Sequence, residues 1–181
     1  MPPLKAEQME DPMSDTREWV VQWLRDAHAM EQQAETMLSG LLGRLDNYPE
    51  LSQRISSHLE ETKQQAERLH RCLENIDEET STMKDVGGKL IATGQSISGF
   101  FAGDEVMKGA LAGYTFEQME IASYTALIAA AESIGETEIA GVCRQNLQEE
   151  ITMAEWLKEN LPSVTTTFLS RDARGDDTAK R

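Results

Sequence analysis

The sequence predicts an all-α fold, a bundle of four helices with one long connection, and three observations support this. Good helix formers, chiefly Glu, Gln, Leu, Ala and Met, dominate residues 15–162. Apolar residues recur there at alternating steps of three and four. Four such stretches follow one another, joined by a short, a long and a short connection.

Composition narrows the class of protein. The chain has 181 residues, enough for one domain, and its longest apolar runs fall well short of the roughly 18 residues that a membrane span requires. A net charge of -15 argues against binding to nucleic acid or to an anionic membrane. Two cysteines without a C-x-x-C pair, and a polar start without a signal core, indicate a reduced, cytoplasmic protein.

The two ends of the chain differ from its middle. Residues 1–14 hold three of the five prolines, and residues 163–181 are polar and contain glycine. We therefore expect mobile tails at 1–14 and 163–181, with a single bundle over 15–162.

The first helix is predicted from Ser14 or Asp15, which offer capping side chains, to a point before Asp46. Its inward stripe contains one charged residue, Glu31, at its centre. The stripe is Val20, Leu24, Ala27, Glu31, Ala34, Leu38, Leu41 and Leu45.

The second helix is predicted from about Pro49 to Asn75. Its stripe has apolar ends and a polar middle, where either Glu61 or Thr62 fits the spacing. The stripe is Leu51, Ile55, His58, Glu61 or Thr62, Gln65, Leu69, Cys72 and Ile76.

Residues 77–104 break this pattern with five glycines, yet they keep apolar residues for burial. We interpret them as a long crossover that contains a short helix. Phe100 and Phe101 in this crossover are a candidate subunit contact.

The third helix is predicted from Asp104 to Ser133 and the fourth from Thr137 to Pro162, with Gly135 as the stop between them. Glutamates again interrupt both stripes. The third stripe is Ala110, Gly113, Glu117, Glu120, Tyr124, Leu127, Ala131 and Ile134, and the fourth is Cys143, Leu147, Glu150, Ala154, Leu157 and Leu161. One long crossover between two helix hairpins is the connectivity of a ferritin-like bundle.

The interrupting glutamates lie at matching heights. Glu31 and Glu61 are each about 15 residues from the first short turn, and Glu120 and Glu150 are about 15 from the second. Buried carboxylates at one level repel each other strongly unless a cation is present. The sequence therefore predicts a site for two divalent metal ions, with iron or manganese favoured and zinc possible.

Several side chains near this layer have more than one interpretation. His58 either ligates metal or hydrogen-bonds a glutamate, and the second is favoured. His28 is expected to support the site and His70 to be structural. Tyr124 is interpreted as core packing rather than as a redox group.

Four strings carry a resemblance to a known family. They are Arg25-Asp-Ala-His-Ala-Met-Glu31, His58-Leu-Glu-Glu61-Thr, Glu117-Gln-Met-Glu120-Ile-Ala-Ser-Tyr124 and Leu147-Gln-Glu-Glu150. Over residues 15–161 the chain resembles the YciE/YciF-type family of bacterial ferritin-like proteins. The resemblance implies a bacterial stress-associated protein, commonly a homodimer, with acidic metal positions at Glu31, Glu61, Glu117, Glu120 and Glu150.

One departure bears on the activity. Many di-iron bundles use Glu-x-x-His on two helices, but here Gln64 follows Glu61 and Met153 follows Glu150 at that spacing. The favoured function is metal-centred redox chemistry with peroxide or oxygen, or metal sequestration. The alternatives are a non-catalytic stress or scaffold protein with an empty or vestigial site, and a structural dimer of a larger body.

Overall fold

The structure, a computed structural model, describes residues 12–79 and 104–176. These residues form four helices and no strand, so the predicted all-α class is confirmed. The helices are α1 (Pro12–Leu42), α2 (Pro49–Glu79), α3 (Glu105–Ser133) and α4 (Thr137–Ala173). The predicted crossover, with its short helix and Phe100 and Phe101, lies outside the described residues except at its two ends.

Contacts between the helices define an antiparallel bundle. The hairpins α1–α2 and α3–α4 pack most closely, and they join through the α1–α3 and α2–α4 faces. Arg17 of α1 pairs with Glu136 at the α3–α4 turn, whereas Arg44, just after α1, pairs with Glu105 at the start of α3. The third helix therefore begins at the end of the bundle where the first helix ends.

The α2–α4 face shows the same register. Side-chain hydrogen bonds join Gln65 to Glu150, Arg68 to Asn146, and Asn75 to Glu138. Residue numbers rise on one helix as they fall on the other, so α2 and α4 are antiparallel. Helix α2 thus ends where α1 begins, at the opposite end from the start of α3.

Gly135 ends α3 as predicted. Its φ of 81° lies in the left-handed region that favours glycine. The next amide, of Glu136, donates to the carbonyl of Ala131 at 2.9 Å, which closes the end of the helix. The turn is short because α4 starts two residues later.

Two apolar clusters fill the bundle, one on either side of a polar layer. The first includes Val20, Leu24, Leu69, Cys72, Leu127, Ala131 and Cys143. The second includes Leu38, Leu41, Leu51, Ile55, Val106, Met153 and Leu157. Both contain residues from all four helices, so the layer between them is enclosed by the core.

The prediction that the fourth helix ends at Pro162 is wrong, because α4 continues to Ala173. A proline inside a helix removes one hydrogen bond and crowds the preceding turn. Beyond it, Val164 is buried and Phe168 packs in the second apolar cluster, and Arg171 pairs with Asp176 at 2.9 Å. This packing compensates for the proline. The division of the chain into a bundle and two mobile tails stays a prediction.

None of the described helices has a stretch that is both long and apolar enough to cross a bilayer.

Replacing Pro162 by alanine tests the continuous fourth helix. Pro162 is exposed, so the change removes little packing, and an interior proline is about 3 kcal/mol less favourable than alanine. The free energy of unfolding should therefore rise by about 1–3 kcal/mol in urea titrations followed by circular dichroism. The control Ser163→Ala, at an exposed neighbour, should change it by a few tenths only. A Pro162→Ala variant no more stable than the parent would contradict a helix that runs through this position.

Candidate metal centre

The polar layer between the two apolar clusters receives ionisable side chains from all four helices. Glu31 comes from α1, His58 from α2, Glu117 and Glu120 from α3, and Glu150 from α4. Each of the five is at most 1% exposed. Buried charges are costly unless they are paired or coordinate a metal, so this layer needs a physical explanation.

His58 lies at the centre of the layer. Its Nε2 is 3.1 Å from Glu117 Oε2 and 3.4 Å from Glu150 Oε2, although neither contact has hydrogen-bond alignment. One ligand atom from each of these three residues lies within 4.8 Å of the other two. A nitrogen and two carboxylate oxygens thus converge on one small volume without bonding well to each other.

Several buried carboxylate oxygens in the layer have no hydrogen-bond partner among the described residues. Both oxygens of Glu120 are in this state, as are Oε2 of Glu31, Glu117 and Glu150. Buried polar atoms in native proteins are nearly always satisfied by protein, water or an ion. The donor set is oxygen-rich with one imidazole nitrogen, which suits iron or manganese.

Hydrogen bonds hold the other sides of two of these carboxylates. Gln65 donates to Glu150 Oε1, and the Tyr124 hydroxyl donates to Glu31 Oε1. Asn146 donates to the Tyr124 oxygen at 2.9 Å and accepts from Arg68 at 2.8 Å. In Glu150 and Glu31, Oε1 accepts a hydrogen bond, and Oε2 has no partner among the described residues.

Arg68 connects this frame to the protein surface. Its side chain is 15% exposed and also pairs with Glu149. A chain of hydrogen bonds therefore runs from Glu31 through Tyr124 and Asn146 to Arg68. Such a chain fixes the rotamers of its members, because each lost bond would leave a buried polar group unsatisfied.

Three of the buried glutamates have raised pKa values. Burial, reinforced by the charge of Glu150, raises the pKa of Glu31 to about 8. Burial likewise raises the pKa of Glu117 to about 7, and it raises that of Glu120 well above its usual range. At neutral pH the metal-free layer thus holds protons that a cation would displace.

His58 behaves in the opposite way. Burial alone lowers its pKa, but contacts with Glu117, Glu150 and Glu61 outweigh burial and raise the pKa to about 12. Metal-free His58 is therefore a cation that partly neutralises the layer. The contact with His58, together with Arg54 nearby, lowers the pKa of Glu61.

The structure brings together four of the five glutamates that the sequence indicates, namely Glu31, Glu117, Glu120 and Glu150. Glu61 lies at the edge, with its side chain 37% exposed. Its Oε2 is 2.8 Å from His58 Nδ1 and 3.1 Å from an Arg54 nitrogen. The inward position belongs to Thr62, whose hydroxyl donates to the His58 carbonyl at 3.0 Å. Direct metal ligation by Glu61 stays a prediction.

Sequence reasoning missed the hydrogen-bonding roles of Tyr124 and Asn146 in the layer. Tyr124 bonds Glu31 in addition to packing in the core, and Asn146 is fully buried although it lies off the predicted stripe. Asn146 lies one turn before Glu150 and so shares its helix face. That spacing in the sequence indicates that Asn146 points towards the same layer. His58 contacts a glutamate as expected, and the structure shows that this glutamate is Glu61, but His58 Nε2 also faces two buried glutamates.

The missing Glu-x-x-His pairs are also explained by position. Gln64 is exposed, and Met153 is fully buried in the second apolar cluster. The imidazole of the layer comes instead from His58, three residues before Glu61. The layer therefore retains one nitrogen donor, but on α2 the histidine precedes the glutamate, as His-x-x-Glu, instead of following it.

Comparisons with known proteins agree with this architecture. Residues 15–170 match the family described as DUF892, a domain of unknown function. Protein YciF of Escherichia coli K12 is 33% identical over 131 residues, which cover 70% of this chain and 78% of YciF. The solved structure of the E. coli stress protein YciF matches with a TM-score of 0.66 and 27% identity, covering 81% of this chain and 94% of that one. A solved protein of Xanthomonas campestris matches with a TM-score of 0.73 and 42% identity, covering 87% and 99%.

The raised pKa values predict that metal-free protein loses stability as the pH rises. Unfolded Glu31 releases its proton near 4.5, but folded Glu31 holds it to about 8, and unfolded His58 loses its proton near 6.5 against about 12 when folded. The folded state thus binds more protons between pH 5 and 8, so the free energy of unfolding falls with rising pH. Urea titrations with chelator present, at pH 6 and at pH 8, measure this.

The variant Glu31→Gln removes one of the groups that hold a proton only in the folded state. The slope of the free energy of unfolding against pH should therefore become shallower by up to about 1.4 kcal/mol per pH unit. Exposed Glu60→Gln should leave the slope unchanged. Stability that rises from pH 6 to pH 8, or equal slopes in all three proteins, would exclude a protonated buried layer.

Proposed function

Because the chain belongs to the DUF892 family of YciF-type proteins, and because its core holds a convergent histidine–glutamate layer, we propose that it is a cytoplasmic stress-associated metal-binding protein. Its site would take two divalent ions, iron or manganese in preference to zinc. The observation that carries the proposal is the set of buried carboxylate oxygens with no partner among the described residues.

Each helix contributes to the proposed ligand set. Glu31, Glu117, Glu120 and Glu150 supply oxygen, and His58 supplies Nε2. Four carboxylates neutralise the charge of two divalent ions, which removes the repulsion that burial alone creates. Metal binding would displace the His58 proton at Nε2 and the protons that Glu31, Glu117 and Glu120 hold.

Glu61 has a supporting role in this proposal. Histidines that bind metal usually give their other ring N–H to a carboxylate or carbonyl, which fixes the ring and its tautomer. The 2.8 Å contact between His58 Nδ1 and Glu61 Oε2 has this arrangement. Arg54 holds the same oxygen, so Glu61 is anchored from two sides.

Two activities use such a site. Bound iron or manganese supplies one-electron redox chemistry towards peroxide or oxygen, and a buried carboxylate layer also sequesters the metal. The protein residues exclude bulk water from the layer and hold the carboxylates in fixed positions. Tyr124, Asn146 and Arg68 orient Glu31, while Gln65 orients Glu150.

One observation favours the non-catalytic alternative, a stress or scaffold protein with an empty site. In the metal-free state a charged His58 and the protonated Glu31 and Glu120 already reduce the net charge of the layer. Such a layer would tolerate the absence of metal. A bundle stability that is indifferent to chelator would favour this function.

We also propose a second copy of the chain as the partner. Between Lys108 and Glu132 the charged residues of α3 are Glu117 and Glu120, and both are buried. The outer face of this helix therefore presents uncharged side chains, including Leu111 at 52% and Met119 at 47% exposure. Two chains that each carry a net charge of -15 repel least along this face.

Titration with metal tests the proposed site. Anaerobic Fe(II) or Mn(II) should bind at about two ions per chain and raise the melting temperature. Glu117→Gln and Glu150→Gln should each reduce binding to less than about one ion per chain, because each removes a charged ligand. Exposed Glu60→Gln is the matched control and should bind as the parent does. Less than about 0.2 ion per chain in the parent, with no effect of the variants, would exclude the proposal.

The role of Glu61 has its own test. Glu61→Gln should weaken metal binding by about 10- to 100-fold while the number of bound ions stays the same, because the ring of His58 loses its fixed orientation. A competition titration against a chelator of known affinity measures both. Loss of one whole ion would instead indicate direct ligation by Glu61.

Association through α3 is tested by light scattering. The parent should be a dimer, and Met119→Glu or Leu111→Glu should give monomers, because each places a charge on both sides of a symmetric contact. Exposed Gln64→Glu, on α2 and away from this face, is the matched control for added charge and should remain a dimer. A monomeric parent, or dimers that persist in both variants, would contradict the assignment of this face.

A further inference from the structure

Two of the three histidines of the chain lie together outside the buried layer. His28 of α1 and His70 of α2 have ring centres 5.7 Å apart and planes inclined by 26°. His70 is half exposed, and His28 is partly buried. Since the chain has three histidines in all, every imidazole outside the metal layer is in this pair.

Carboxylates flank the pair on the same helix. Glu67 lies one turn before His70 and Glu74 one turn after it. His70 Nε2 is 3.4 Å from Glu74 Oε1, whereas Glu67 pairs with Arg71 at 3.1 Å and interacts electrostatically with His28. Glu74 is thus the carboxylate already in contact with one member of the pair, His70.

The two rings are better suited to a shared cation than to two protons. Burial and the neighbouring His70 both lower the pKa of His28. Neutral imidazole exposes a nitrogen lone pair, and it is the form that ligates metals. Two charged rings at this distance would repel each other.

The ring separation is compatible with one shared ion. A metal–nitrogen bond of about 2.0–2.1 Å places the ion roughly 3 Å from each ring centre, so two rings on one tetrahedral ion have centres roughly 5–6 Å apart. The observed 5.7 Å falls in that range. Small side-chain rotations of two partly exposed histidines would turn their nitrogens towards a common point.

We propose that His28 and His70, with Glu74, form a surface site for a borderline divalent cation such as Zn²⁺, Ni²⁺ or Cu²⁺. Imidazole nitrogens favour these ions, whereas the oxygen-rich buried layer favours iron or manganese. The site lies on the outer face of the α1–α2 hairpin, three residues along the chain from Glu31. It does not depend on the metal centre proposed above.

Retention of untagged protein on immobilised Ni²⁺ tests the proposal, because only surface imidazoles reach a resin-bound ion. Full-length parent protein should be retained and should elute with imidazole. His28→Gln and His70→Gln should each lose most of the retention, and the double variant should be no weaker than either single variant. Gln64→Ala, at an exposed position on α2, is the matched control and should elute with the parent.

Other outcomes overturn the shared site. A parent that is not retained would do so, as would variants that elute with the parent. If each single variant lost part of the retention and the double variant lost the sum, the histidines would act independently and no ion would be shared. A companion titration with free Ni²⁺ should show one binding event fewer in His28→Gln, and no change in that count would also contradict the site.

Discussion

The structure depends on the burial of four carboxylates and one histidine in a single layer between two apolar clusters. Transfer of even one charged group into a protein interior costs several kcal/mol after relaxation, and like charges at one level add repulsion. Protonation of glutamates and a charged His58 relieve part of that cost in the metal-free chain. The remaining cost lies in five buried carboxylate oxygens of the layer that have no hydrogen-bond partner among the described residues.

The rest of the bundle positions this layer. Antiparallel hairpins bring the midpoints of all four helices to one height, and the apolar clusters above and below exclude water. Gln65 and Tyr124 hold one oxygen each of Glu150 and Glu31, and Asn146 and Arg68 extend that frame to the surface. A site assembled from rigid helices with fixed side chains is preorganised for a ligand of defined size and charge.

The sequence predicts much of this arrangement because a charged residue within an apolar stripe is easily recognised. Glu31, Glu117, Glu120 and Glu150 each interrupt such a stripe, and all four are buried. Glu61 was ambiguous because adjacent helical residues point about 100° apart, so the choice between Glu61 and Thr62 depended on helix rotation that periodicity does not fix. The end of α4 was missed because tertiary packing of Val164 and Phe168 outweighed the local effect of Pro162.

The central claim is that this layer holds metal, and crystallography at the iron absorption edge tests it most directly. Crystals of Fe(II)-loaded protein should show anomalous density enclosed by Glu31, His58, Glu117, Glu120 and Glu150. A well-ordered loaded crystal without anomalous density in this layer, or with iron on the surface instead, would contradict the account.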